Sequence, residues 1–93
     1  MAAFSFEWDE AKAEANLRKH GVSFDEAVTV FGDPRALTFA DTDHAEHEDR
    51  SRTYGRSSRG RLLVVIHTER RDGVRIISAR RATRYEKGIY ENG

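Results

Sequence analysis

Two runs rich in Val and Ile, Leu62-Leu63-Val64-Val65-Ile66-His67-Thr68 and Val74-Arg75-Ile76-Ile77-Ser78-Ala79-Arg80-Arg81, flank a link that ends in Asp72-Gly73. Such runs on either side of Asp-Gly are the strongest short-range hairpin signal, because Asp-Gly supplies the positive φ values that a two-residue turn requires. The pair is expected at the centre of an antiparallel sheet. With Asp72 and Gly73 as the loop, Arg71 faces Val74, Glu69 faces Ile76, His67 faces Ser78 and Val65 faces Arg80, since partner numbers in an antiparallel hairpin add to a constant. One face then carries Leu63, Val65, His67, Ile76, Ser78 and Arg80, and the other Val64, Ile66, Thr68, Arg75, Ile77, Ala79 and Arg81. A four-residue loop keeps these faces, whereas a three-residue loop parts His67 from Arg80.

A chain of 93 residues can bury one modest core, so residues 1–93 read as a single domain. There is no cysteine, which excludes disulfides and thiolate metal sites and leaves nothing to argue for an oxidising compartment. Residues 1–8 lack the basic region and apolar stretch of a signal peptide, and no run approaches membrane-spanning length. The expected location is the cytoplasm, with no membrane partner. A net charge of zero hides an asymmetry: residues 1–49 hold 4 Lys/Arg against 12 Asp/Glu, and residues 50–93 hold 12 against 4. Either the two halves satisfy each other, or the basic half meets a polyanion.

The rest of the chain is arranged around the hairpin. Phe4-Ser5-Phe6-Glu7-Trp8 alternates as a short first strand. Asp9 is placed to cap a helix over 10–20, with Arg18 and Lys19 in its last turn and Gly21 as the left-handed residue that ends it. Ala13, Leu17 and His20 share its inner face, with Asn16 beside them. Ser23-Phe24-Asp25-Glu26 reads as a capping box for a second helix whose apolar stripe is Phe24, Ala27, Val28 and Phe31, stopped by Gly32-Asp33-Pro34. Ala36-Leu37-Thr38-Phe39-Ala40 alternates as a strand. The segment 41–49 is dense in acids and histidines but lacks the spacing of a calcium loop or a helical zinc pair, so no metal or other cofactor is assigned and a solvated acidic loop is expected. Arg50-Ser51-Arg52-Thr53-Tyr54-Gly55-Arg56 is a cationic strand, and Thr83-Arg84-Tyr85-Glu86 a second capping box that opens a short C-terminal helix. The class is α+β: a small antiparallel four-stranded sheet, a possible short N-terminal strand, two N-terminal helices packed on the sheet, and a C-terminal helix.

Phe6-Glu7-Trp8-Asp9-Glu10-Ala11-Lys12, Asn16-Leu17-Arg18-Lys19-His20-Gly21-Val22, the Asp33-Pro34 stop, the strand from Arg50 to Gly55, and Arg75-Ile76-Ile77-Ser78-Ala79-Arg80-Arg81-Ala82-Thr83 with Glu86 and Tyr90 together resemble the BrnT toxins of bacterial type II toxin–antitoxin pairs. The likeness runs nearly the whole length in the same order. It implies a RelE-like fold and RNA cleavage that inhibits translation. It also implies an antitoxin, BrnA, a ribbon-helix-helix protein through which the complex reaches operator DNA. The segment 41–49 matches no pattern of that family.

Metal-independent RNA cleavage needs the 2′-hydroxyl deprotonated, the phosphorane stabilised and the leaving 5′-oxygen protonated. Fixed arginines suit the phosphorane, because charge grows on its oxygens and the guanidinium is planar and permanently charged. Arg80 is the first candidate, at a strand end beside a helix N-terminus that attracts anions, and Arg50 the second. His67 is the acid or base if it shares the face of Arg80; otherwise it is a satisfied core histidine. His20 competes for that role, although its place in the last turn of a helix also explains it. Lys19, Arg52, Arg75, Arg81, Ser78 and Tyr90 are candidate RNA contacts, Ser78 as a hydrogen-bond partner and Tyr90 as packing or a stacking platform. The competing reading is a non-catalytic module whose basic strands hold an antitoxin and which acts only as a co-repressor.

Overall fold

Strand β5 (Gly73–Arg81) lies between neighbours of opposite sense: β4 (Leu62–Arg70) runs antiparallel to it, and the short β1 (Ser5–Glu7) pairs parallel on its other side. β3 (Arg50–Arg56) and β2 (Leu37–Ala40) extend the sheet antiparallel beyond β4, in the order β1-β5-β4-β3-β2. The structure, a computed structural model, describes residues 4–41 and 49–93. The acidic loop expected within 41–49 lies, for residues 42–48, outside the described residues. Helices α1 (Glu10–His20), α2 (Phe24–Val28) with a 3-10 turn Thr29–Gly32, and α3 (Arg84–Asn92) complete the architecture expected from sequence. No described helix is long and apolar enough to cross a membrane.

The core forms where Val22, Phe24, Ala27 and Val30 meet Leu63, Val65, Val74, Ile76 and Ala79 on one face of the sheet. α1 begins as its sequence dictates, with the Asp9 carboxylate accepting from the Ala11 and Lys12 amides, and ends at Gly21 with φ 69° and its N–H on the Leu17 carbonyl. Of its expected inner face Ala13 packs against the core, but Leu17 is exposed and Asn16 is the buried residue. Asn16 Nδ2 donates to the carbonyls of Val22 (2.9 Å) and Ala79 (2.8 Å), and its Oδ1 accepts from the Ala79 amide (3.1 Å). β1 pairs only with residues 73–75 of β5, so the Asn16 amide satisfies the strand edge where β1 has ended. Asn16→Ala is expected to destabilise the fold by about 2 kcal/mol, measured by denaturant unfolding, because it strands buried backbone groups.

Two capping boxes were expected and one forms. Thr83 and Glu86 make both reciprocal bonds of the box that opens α3. Ser23 Oγ accepts from the Glu26 amide (3.0 Å), but the Glu26 carboxylate turns instead to Arg61 Nε (3.0 Å) and Ser57 Oγ (2.7 Å). A guanidinium offers that buried carboxylate a charge-assisted bond, which a backbone amide cannot match. Glu26 therefore ties α2 to the β3–β4 connection, and its pKa is held below the ordinary carboxylate range chiefly by Arg61.

The hairpin register differs from the one expected in two ways. Arg70 pairs with Gly73, so Arg71 and Asp72 form the turn, and neither they nor Gly73 takes a positive φ. Gly73 is required for another reason: a Cβ there would collide with the Ser5 carbonyl, so the glycine admits β1. Farther along, His67 pairs with Ile76 but Ile66 pairs with Ser78, which leaves Ile77 as an extra residue on β5. A bulge reverses which side chains face the core. Ala79 therefore turns toward the helices opposite Val65, and Arg80 turns away, opposite Val64. The expected pairs His67–Ser78 and Val65–Arg80 do not form, and His67 and Arg80 lie on opposite faces.

Candidate functional site

The sheet face turned away from α1 and α2 gathers Arg50, Arg52 and Tyr54 of β3, which oppose Thr68, Ile66 and Val64 of β4, with Arg80 of β5 next to Val64. Phe39 of β2 lies beside Arg52. The Phe39 and Tyr54 ring centroids are 5.5 Å apart, and the Arg52 guanidinium carbon stands 5.8 Å from the Tyr54 centroid. Among the described residues, Arg52 Nε and Thr68 Oγ1 are buried polar atoms without a partner.

α3 covers one end of this face and delivers Glu86 to Arg80. Nη1 donates to Oε1 (2.8 Å) and Nη2 to Oε2 (2.9 Å), while Oε1 also accepts from the Thr83 amide (2.9 Å). Arg80 Nη1 has a further acceptor in the Arg81 carbonyl at 3.3 Å. The Arg80 side chain keeps 37% of its surface exposed and Glu86 9%. The guanidinium holds the Glu86 carboxyl down at about 2, and the carboxylate in turn raises Arg80 above its ordinary value. A depressed carboxylate adds stability above its unfolded pKa and loses it as pH falls through the folded one. Acid unfolding between pH about 4.5 and about 2 is thus expected to take away about 2–3 kcal/mol through Glu86, and Glu86→Gln to flatten that window in a series of denaturant titrations.

The other candidates fall into three places. Lys19, His20 and Ser78 line a shallow groove between α1 and β5, together with Lys12, Asn16 and Ile77. Arg75 donates to Glu7 Oε2 at 2.9 Å, so its charge is compensated at the β1 edge, and Arg81 is exposed opposite Leu63. Tyr90 donates to Asp33 Oδ2 (2.7 Å), with the Arg56 guanidinium carbon 5.7 Å from its ring centroid. Asp33 also accepts from the Arg35 and Arg56 amides, which with Tyr90 outweigh its burial and lower its pKa. Tyr90 thereby pins α3 to the loop after α2.

His67 is 2% exposed, on the helix-covered face. Its Nε2 shares a hydrogen bond with Thr53 Oγ1 (2.7 Å), and its ring meets Phe31 edge-on with centroids 4.9 Å apart. Burial pushes its pKa down. The alignment with Arg80 on which its catalytic reading depended is absent, because the Ile77 bulge turns Arg80 to the other side.

From sequence, Glu86 is explained by its capping box and, with Tyr90, is one of two helical pairs of which one borders the sheet end near Arg80 and Arg81, but no bond to Arg80 is assigned to it. The signal for its second role was present: the box follows a strand-end arginine within a few residues, so the side chain that caps the helix also reaches the guanidinium. Phe39 was read only as part of an alternating strand, and nothing local marks it as the aromatic left exposed beside Arg52.

A family model described as "Ribonuclease toxin, BrnT, of type II toxin-antitoxin system" matches residues 8–86. Among solved structures, the Brucella abortus ribonuclease toxin, BrnT, is similar with a TM-score of 0.70 and 24% identity, over 88% of this chain and 100% of that one. No curated protein matches.

Proposed function

This chain belongs to the BrnT family of ribonuclease toxins of type II toxin–antitoxin systems, and we propose that it cleaves RNA at the sheet face turned away from α1 and α2 without a metal ion, through attack of a 2′-hydroxyl on the adjacent phosphorus. The carrying observation is an arginine clamped by a carboxylate yet still exposed, Arg80 on Glu86, on the face that also bears Arg50 and Arg52. Arg80 holds the reacting phosphate, and its fixed charge meets the charge that grows on the phosphorane oxygens. Arg50 and Arg52 align the flanking backbone, and Lys19 and Ser78 extend the track toward the α1 groove.

The P–O5′ bond breaks as the O2′–P bond forms, leaving a 2′,3′-cyclic phosphate on one fragment and a 5′-hydroxyl on the other. A proton leaves O2′ and one reaches O5′. His20, the partly exposed imidazole among the described residues, lines the α1 groove and not the Arg80 face, and His67 is assigned to the core, so neither is assigned that transfer. The partner is a BrnA-like antitoxin that covers the basic face, and operator DNA is met only through that complex. A 2′-deoxy substitution at the scissile nucleotide tests the route: cleavage of the all-ribose RNA with cyclic-phosphate ends, and none of the substituted RNA, is expected. Equal cleavage of both would overturn it.

A further inference from the structure

The bond pattern around Arg80 divides its guanidinium into two edges. The edge formed by Nη1 and Nη2 is taken by Glu86, and the remaining Nη1 hydrogen points to the Arg81 carbonyl. A guanidinium has five N–H donors in a fixed plane, so Nε–H and the outer hydrogen of Nη2 remain. No described residue accepts from them. Those two donors form a second fork on the same rigid plane, spaced for two oxygens of one phosphate. Glu86 is itself fixed, being buried with its Oε1 accepting from the Thr83 amide.

We propose that Glu86 is a positioning residue for RNA cleavage: it grips one edge of the Arg80 guanidinium so that the opposite edge, Nε and Nη2, is presented to the scissile phosphate. The inference rests on the RNA-cleaving reading above and adds a residue that does not touch the substrate. A long side chain free to sample rotamers would meet the phosphate in many orientations, and a misplacement of about 1 Å costs about a hundredfold in rate. The carboxylate also compensates the arginine charge, so ground-state attraction for RNA is limited while orientation is gained.

This arrangement carries a kinetic signature that a helix cap does not. Glu86→Gln keeps an acceptor for the cap but loses the charged two-point grip, leaving the guanidinium plane free to move. The test is kcat and KM on a short ribo-oligonucleotide for the wild type, Glu86→Gln, Thr83→Ala and Arg80→Lys. Thr83→Ala removes the hydroxyl of the cap and leaves the grip in place. Glu86→Gln is expected to lower kcat by about tenfold or more with KM unchanged or lower, and Thr83→Ala to stay within about twofold in both. Arg80→Lys, which keeps the charge without the planar fork, is expected to fall at least as far as Glu86→Gln. If Glu86→Gln fails to fold, Glu86→Asp replaces it, with kcat lowered and KM not raised. Matching kinetics for Glu86→Gln and Thr83→Ala, or a rise in KM alone, would overturn the inference while wild-type cleavage still upheld the reading beneath it. An inactive wild type would overturn that reading first, and the inference with it.

Discussion

Arg80→Ala is expected to lower the rate of RNA cleavage by about 10²–10³-fold, the usual consequence of removing one preorganised donor from a developing oxyanion. The expectation follows from position. The Ile77 bulge brings Arg80 to the face turned away from α1 and α2, opposite Val64, and Glu86 fixes its plane there. The same substitution strands the carboxylate of Glu86, whose side chain is 9% exposed. Because the Arg80 side chain is 37% exposed, solvent screens part of that pair, and the stability loss is expected to be only about 1–2 kcal/mol. Single-turnover cleavage measured beside thermal unfolding separates the two effects. A large rate loss in a protein still folded at the assay temperature is the predicted result; a loss of rate no greater than the loss of folded fraction would contradict it.

His67→Ala is expected to act through stability, by about 3 kcal/mol, since it empties a site packed against Phe31 and removes the partner of Thr53. Burial keeps His67 neutral in the folded protein by lowering its pKa from the ordinary 6.5. The unfolded chain therefore binds a proton below about pH 6.5 that the folded chain refuses, so the wild type loses stability on acidification through that range. The variant lacks this component. Urea titrations at pH 7.5 and 5.5 are expected to show a smaller difference between the two pH values for His67→Ala than for the wild type. Its cleavage rate per folded molecule, and the shape of its pH–rate profile, should match the wild type. Loss of one limb of that profile, with stability intact, would return His67 to the chemistry.

The element order was legible because local chemistry and global fold agree at most positions: Asp9 and Gly21 bound α1, Thr83 and Glu86 open α3, and the Val/Ile runs lie central in the sheet. Where the reading failed, tertiary contacts outbid local ones. Gly73 was read for its φ, whereas its missing side chain makes room for Ser5, a residue 68 positions away. Glu26 was given to its own cap and went to Arg61. Asn16 was placed beside an apolar face and proves to be what binds α1 to β5. The costliest miss for the site was the bulge at Ile77. Alternation along a strand fixes faces only while every residue is paired, and Ile76-Ile77 offers two similar side chains with nothing to show which is extra. One unpaired residue moved Arg80 away from His67 and toward α3. Arg80, Arg50 and Arg52 were legible as cations on strands, but the partner that orients Arg80 was not.

Cleavage of a labelled RNA by the antitoxin-free protein in EDTA, wild type against Arg80→Ala, bears most directly on the proposed chemistry. Cleavage that persists in EDTA, leaves cyclic-phosphate ends and falls by about 10²–10³-fold in Arg80→Ala is the predicted result. A folded wild-type protein that cuts no RNA, with or without ribosomes, would contradict it and leave a module whose basic face serves only to hold its antitoxin.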